Sequence, residues 1–320
     1  MTPDQSLLDL SDTLFSLAVA LYSVALVAFC AQLAFGRRPA AARELVAAGG
    51  GPAQDASAGA AERTAERRAQ RWGSIAIGLT VIGAVLHAGV LLLRGLALDR
   101  VPWGNMYEFA AGAVLVAVVA YVVLALRSPA LRHIGVFVLA PVVLGMVAIG
   151  LFLYVEGGPL IAALRSNWLR IHVSAAIIGF GVFAVSGIAS ALYLVRQRME
   201  QKPVEERGTG FVARLPESSV LDGLAHRTAV FGFPIWTFAV IAGAIWAESA
   251  WGRFWGWDPK ETWSFISWVV YAGYLHARTT AGWRGRPAAW VNIVGFVVMV
   301  FNLTLVNLVF AGLHSYAGVD

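Results

Sequence analysis

The sequence predicts an all-α integral membrane protein, a bundle of about eight transmembrane helices with both termini extracytoplasmic. Three observations predict it. Hydrophobic residues make up 58% of the 320-residue chain and charged residues 13%, with a mean hydropathy of +0.69, which lies outside the range of soluble globular domains. Eight apolar runs approach or exceed the length needed to cross about 30 Å of hydrocarbon. The basic residues are also segregated: with simple alternation of the spans, eighteen of the 24 Lys and Arg fall on one side of the membrane, which marks that side as cytoplasmic.

Taken in order, the first run, 13–35, follows a polar, acidic start (Met1–Asp12) with no basic n-region and no small-residue cleavage site, so it is expected to remain as a span. It contains Cys30, the sole cysteine, which excludes a disulfide framework, a CxxC redox pair and a CxxCH motif on this chain. The Ala/Gly-rich stretch 37–72 carries Arg37, Arg38, Arg43, Arg63, Arg67, Arg68 and Arg71, and reads as a cytoplasmic linker. Spans two to four fall at 73–93, 106–126 and 134–154, with Arg127 and Arg132 in the cytoplasmic connector between the last two. Span five, 172–195, is followed by Arg196, Arg198, Lys202, Arg207, Arg214 and Arg227. Span six covers 229–248. Span seven, 263–277, is short for a crossing and is expected to extend as helix at both ends. Span eight, 290–312, follows Arg278, Arg284 and Arg286. The organisation is thus an N-terminal span (1–36), a linker (37–72) and a transmembrane unit (73–320) with an external loop at 249–263. The net charge of +5 is a topology signal and gives no reason to expect nucleic acid as a partner.

The external loop is the densest chemical signal. Trp251-Gly-Arg-Phe-Trp255-Gly-Trp257-Asp258-Pro-Lys-Glu261-Thr-Trp263 places four indoles in thirteen residues. One or two would suit an aromatic belt at the membrane interface. Four, interleaved with glycines that let backbone approach a large flat surface, suit a planar aromatic ligand better.

The topology gives the histidines meaning. His172 opens span five at its outer end and His314 follows the outer end of span eight, so both share a face with the Trp loop. Neutral imidazole is a usual axial ligand of haem iron, and two of them flanking an indole shelf predict a bis-histidine haem site. His276 lies about 20 Å below the loop at 1.5 Å per residue; an ionisable group at that depth is a functional-site candidate and would belong to a second, inner site. His87, in span two, is a weaker candidate, and its pairing with His276 stays open. His133 and His226 fall in or near basic connectors and read as structural. Asp258-Pro259-Lys260-Glu261 has an N-cap residue, proline at the first helical position and Glu three residues after the cap, a helix-start signal. Asp258 therefore reads mainly as a cap, with any ligand contact secondary.

The segment Trp251–Trp263, continuing through Trp268 to Tyr274-Leu-His276-Ala-Arg278, resembles the WWD signature of the CcsA/ResC family of System II cytochrome c biogenesis, some of whose bacterial members are labelled CcsB. Pro102-Trp-Gly-Asn105-Met-Tyr107-Glu108, Trp168-Leu-Arg-Ile-His172, Leu221-Asp222-Gly-Leu224 through Pro234, and Gly312-Leu313-His314-Ser315-Tyr316 also match, so the resemblance covers most of 80–318. It implies haem b held at the external face between His172 and His314, against Trp251, Trp255, Trp257, Asp258 and Trp263, and delivered to the CxxCH motif of an apocytochrome c. It also implies an inner haem ligated by His276, with the second ligand supplied by a ResB-type membrane partner, and indirect dependence on a thioredoxin-like protein that keeps the apocytochrome thiols reduced. The site would face outward from the bacterial plasma membrane, and this chain would be the haem-handling subunit of a cytochrome c synthase complex. Two other readings compete. A b-type electron-transfer protein commonly pairs its ligand histidines on one helix, and no span here carries two. A proton-coupled transporter using His87, Glu108 and His276 leaves the Trp loop unexplained.

Overall fold

The computed structural model describes residues 3–35, 52–158, 160, 164–203, 211–310 and 312–314. The helices are α1 (Gln5–Phe35), α2 (Pro52–Ala97), α3 (Met106–Arg127), α4 (Gly135–Phe152), α5 (Asn167–Glu200), α6 (Ser218–Trp251), α7 (Pro259–Thr279), α8 (Arg286–Leu303) and the short α9 (Leu305–Val309). No strand occurs among the described residues. Seven of the helices, α1 to α6 and α8, contain stretches long and apolar enough to cross a membrane. At 21 residues, α7 reaches about 31 Å, which matches the hydrocarbon thickness, but its composition is more polar.

Local chemistry sets the helix ends and explains where the sequence boundaries shift. The side chain of Ser166 accepts from the Trp168 backbone N–H, so α5 starts five residues before the expected opening and His172 lies in its second turn. Because α6 starts at Ser218, His226 is inside a helix and not in a connector. The helix carrying span two starts at Pro52, so the portion of the 37–72 stretch from residue 52 onward is its continuation; residues 37–51 lie outside the described residues. The run at 290–312 is interrupted at Thr304 (φ −98°, ψ −77°), where the Thr304 hydroxyl bonds back to the Val300 carbonyl at 2.8 Å, a contact that bends helices. The break frees the chain to turn toward His314.

Helix α1 packs on α2 and α4, α3 joins this group to α5, and α5 packs heavily on α6 and also on α8, which pairs with α7. Small residues make the central helix possible. A Cβ on Gly181 would sit 2.6 Å from Val116 Cγ1, so only glycine lets α5 and α3 meet that closely. Buried hydrogen bonds then fix the register: Asn292 of α8 donates to the Ser186 and Ser190 hydroxyls of α5 at 2.8 Å each, and Ser186 donates to the Ala225 carbonyl of α6 at 2.7 Å.

A buried ionic cluster fixes the connector between α2 and α3. Glu108 is fully buried, and Arg94 and Arg100 are 1% and 9% exposed. Arg100 makes two bonds to the Glu108 carboxylate, at 2.7 and 3.0 Å, and the Gly104 N–H donates to it at 2.7 Å. Arg94 approaches it at 3.4 Å. Arg94 also faces Asp12 at 3.8 Å, and with the Trp103 indole donating to the Ser174 hydroxyl at 3.0 Å the connector is held against the N-terminal end of α5.

Candidate functional site

That end of α5 borders a cleft with about 1080 Å³ of empty space, counting its open mouth. Indoles dominate its walls: Trp103 comes from the α2–α3 connector, Trp236, Trp246 and Trp251 from α6, and Trp255 from the α6–α7 loop. His172 and His314 both line it. Trp246 lies against both imidazoles, stacked on His172 (ring centroids 6.0 Å apart, planes at 11°) and edge-on to His314 at 5.6 Å. Trp251 also meets His314 edge-on, at 4.9 Å.

Each imidazole is held by its Nδ1. For His172, Nδ1 is 2.7 Å from the Ala239 carbonyl. A carbonyl only accepts, so Nδ1 carries the proton and Nε2 keeps its lone pair. The approach needs Gly243, one turn further along α6, because a Cβ there would lie 2.7 Å from His172 Cε1 and 2.8 Å from Nδ1. For His314, Nδ1 donates to Asp258 Oδ1 at 2.8 Å. The second Asp258 oxygen accepts from the Leu313 N–H at 2.6 Å, and a Cβ on Gly312 would lie 2.5 Å from that oxygen. Carbonyl or carboxylate support of the distal nitrogen is the usual orienting arrangement behind a metal-ligating histidine.

Asp258 therefore has two tasks. The capping box at the start of α7 is present, with the Asp258 side chain accepting from backbone and Glu261 reaching back to the Asp258 N–H, as the sequence predicts. The same carboxylate also orients His314, a role beyond the cap that the sequence predicts. Burial pushes the Asp258 carboxyl upward, but the His314 hydrogen bond and the Leu313 and Lys260 N–H donors outweigh it and hold its pKa below the ordinary carboxylate value. Its contribution to stability is thus fully present above the unfolded pKa and is lost as pH falls through the depressed folded one. Burial lowers the His314 pKa and Asp258 only partly opposes this, so the ring is neutral at pH 7, the form that ligates metals.

The profile of the family described as cytochrome C assembly protein matches residues 103–314, a stretch that begins and ends on cleft residues. The chain belongs to this family. A cytochrome c biogenesis protein CcsA from Gloeobacter violaceus is 35% identical over 304 residues, covering 78% of this chain and 88% of the relative. CcsA of a Synechococcus species is 35% identical over 263 residues, covering 74% and 85%. CcsA of Guillardia theta is 40% identical over 177 residues, covering 52% and 59%.

Not every residue singled out from the sequence of this cytochrome c assembly protein reaches the cleft. Trp257 is 67% exposed and adopts φ 57°, a left-handed conformation costly for a bulky side chain; it meets Trp255 edge-on, with ring centroids 5.8 Å apart, but does not line the cleft. Trp263 packs on Phe301 of α8, with ring centroids 4.4 Å apart. His276 is exposed in the last turn of α7. Arg278, two residues on, makes two bonds to Asp222 at 2.6 and 2.7 Å. His87 is fully buried and meets the Tyr22 hydroxyl of α1 at 3.4 Å. Its helix packs on α1 and α3 and makes no extensive contact with α7. Three cleft indoles, Trp103, Trp236 and Trp246, were missed as ligands of the site. A signal for two of them exists: Trp236, Ala239, Gly243 and Trp246 recur at helical spacing, an aromatic stripe with small residues between.

Proposed function

We propose that the protein serves cytochrome c biogenesis by carrying haem b as cargo and presenting it, at the extracytoplasmic face, for covalent attachment to the CxxCH motif of apocytochrome c. One observation carries this reading: two neutral histidines from distant parts of the chain enter one indole-lined cleft, each with Nδ1 engaged by an acceptor and Nε2 left as a donor to iron. The residues fit the cargo. Haem is a flat apolar disc, and the walls offer five indoles with which it stacks. Its iron accepts two imidazoles, which close the open coordination positions during carriage. Thioether formation then requires positioning of the vinyl groups beside two reduced thiols, with no nucleophile from this chain.

His276, exposed on the outside of the bundle near the opposite end of α7, supports an inner haem completed by a ligand from a ResB-type partner. The concentration of arginine in the connectors at that end supports a cytoplasmic assignment for it, with both termini and the cleft outside the bacterial plasma membrane. The complex as a whole would be the cytochrome c synthase, dependent indirectly on a thioredoxin-like reductant for the apocytochrome cysteines.

The test replaces each ligand in the full chain, co-expressed with its partner. His172→Gly and His314→Gly should each abolish cytochrome c maturation and the low-spin absorption of the outer haem, and added imidazole should restore part of both. Normal maturation by either variant without imidazole would sink the bis-histidine reading.

A further inference from the structure

Among the described residues lining the main cleft, Lys260 is the one cationic side chain; the other charged group is Glu261. Neither nearby carboxylate is hydrogen-bonded to its ammonium. Glu261 accepts from the Gly256 and Asp258 N–H groups at 2.8 and 3.1 Å and faces Arg253 at 3.6 Å. Asp258 is taken by His314, the Leu313 N–H and the backbone N–H of Lys260 itself. It attracts the Lys260 ammonium only through space. The hydrogen-bond partner of Lys260 Nζ is the Met106 thioether, at 3.8 Å.

A second donor points at the same sulfur. Asn307 of α9 places Nδ2 2.8 Å from Met106 Sδ, while the same nitrogen also donates to the Leu303 carbonyl at 2.8 Å. Two N–H groups from different helices, one of them charged, thus converge on an atom that is only a weak acceptor. Lys260 is partly exposed on the cleft wall, where a thioether is a poor partner for a charge and a carboxylate would be a far better one. Lys260 also lines a small hollow beside the cleft together with Asn307 and His314, so the pair stands next to an iron-facing imidazole.

We infer that Lys260 and Asn307 form a seat for a carboxylate of the cargo. The inference rests on the haem reading above and extends it. Haem carries two propionate groups at one edge, and the indole walls that suit its faces carry no positive charge to meet them. Seating one propionate on Lys260 replaces a thioether contact with a charge-assisted hydrogen bond and fixes the rotation of the disc about the axis through the iron. The vinyl groups are then held in one orientation relative to the incoming thiols. Met106 acts as the surface on which the donors rest when no carboxylate is bound.

The experiment compares haem with its dimethyl ester, in which both carboxylates are capped, by absorbance titration of the full chain purified with its partner. The wild type should bind haem roughly ten- to a hundredfold more tightly than the ester, the range for a hydrogen bond to a charged group. Lys260→Met should bind both porphyrins equally, at the level of the wild type with the ester, and Lys260→Arg should keep the preference for haem. Unchanged ester binding by Lys260→Met serves as the control for folding; if that variant does not accumulate, Lys260→Gln reads the same comparison, with the preference reduced. A preference for haem that survives in Lys260→Met or at full strength in Lys260→Gln, or that is absent from the wild type, overturns the seat. A wild type that binds neither porphyrin overturns the haem reading itself, and the seat with it.

Discussion

Gly243→Ala separates helix stability from site integrity, because the two respond with opposite sign. In an α6 interior, replacing glycine by alanine favours the helix by about 1 kcal/mol. The added Cβ, however, would lie 2.7 Å from Cε1 and 2.8 Å from Nδ1 of His172, against an ordinary contact of about 3.5 Å or more. The ring must retreat by several tenths of an ångström at least. The Ala239 carbonyl that holds Nδ1 at 2.7 Å sits one turn before Gly243 on the same helix, so a retreat from one is a retreat from the other. A buried hydrogen bond that is broken without replacement costs about 1–3 kcal/mol, and changes to an orienting partner typically lower metal affinity about 10- to 100-fold.

The expected outcome is therefore a chain that inserts and accumulates at least as well as wild type but binds haem ten- to a hundredfold more weakly, with an altered low-spin spectrum. Absorbance titration of the apoprotein, beside a protease-resistance or thermal assay of the fold, measures both halves. Haem affinity equal to wild type would refute the claim that α6 backbone positions His172.

Asp258→Asn should lower haem affinity about tenfold or more while α7 stays capped, because asparagine caps well but its single oxygen cannot serve His314, Leu313 and Lys260 together; wild-type titration behaviour would return Asp258 to a capping role alone. His276→Ala should deplete haem from both sites if the inner one feeds the outer, whereas His172→Ala should leave haem trapped at the inner one; haem content of the two variants, co-expressed with the partner, decides the order, and full outer occupancy in His276→Ala contradicts it. Glu108→Gln should destabilise the fold by about 3–5 kcal/mol, since it leaves Arg94 and Arg100 buried beside a neutral amide. Accumulation and apparent Tm read this, and an unchanged Tm would show that the cluster does not hold the cleft wall.

Features that depend on topology and local pattern were legible in the sequence. Which helix ends share a membrane face follows from counting spans and arginines, and that alone put His172, His314 and the Trp loop together. The capping box at Asp258 is a four-residue pattern and appears as expected. What could not be read depends on contacts between distant positions. Nothing local says that Asp258 meets a histidine 56 residues away, or that Gly243 lies under a ring 71 positions earlier. The four loop tryptophans looked equivalent, yet the left-handed backbone at Trp257 and the turn of α7 at Trp263 send two of them elsewhere. Nor does anything local pair Arg278 with Asp222, 56 positions earlier in a different helix.

Helix α7 shows why the least apolar span carries so much of the site. Alone it lacks the hydropathy of the other seven crossings, because Ser264, Ser267, Tyr271, Tyr274 and His276 interrupt it. The serines cost little: Ser264 and Ser267 donate to the Glu261 and Trp263 carbonyls within the helix, at 2.7 and 3.0 Å. Tyr271 is fully buried and stacks on Phe183 of α5 at 3.6 Å. The rest of its stability must come from neighbours, and both ends are tied to them. At the cleft end Asp258 grips the turn that carries His314; at the other Arg278 grips Asp222 on α6. A helix that is stable in the membrane only when α6, α8 and the His314 turn are in place cannot be correctly seated without also assembling the cleft. The polarity that weakens α7 as a span thus couples completion of the bundle to completion of the site.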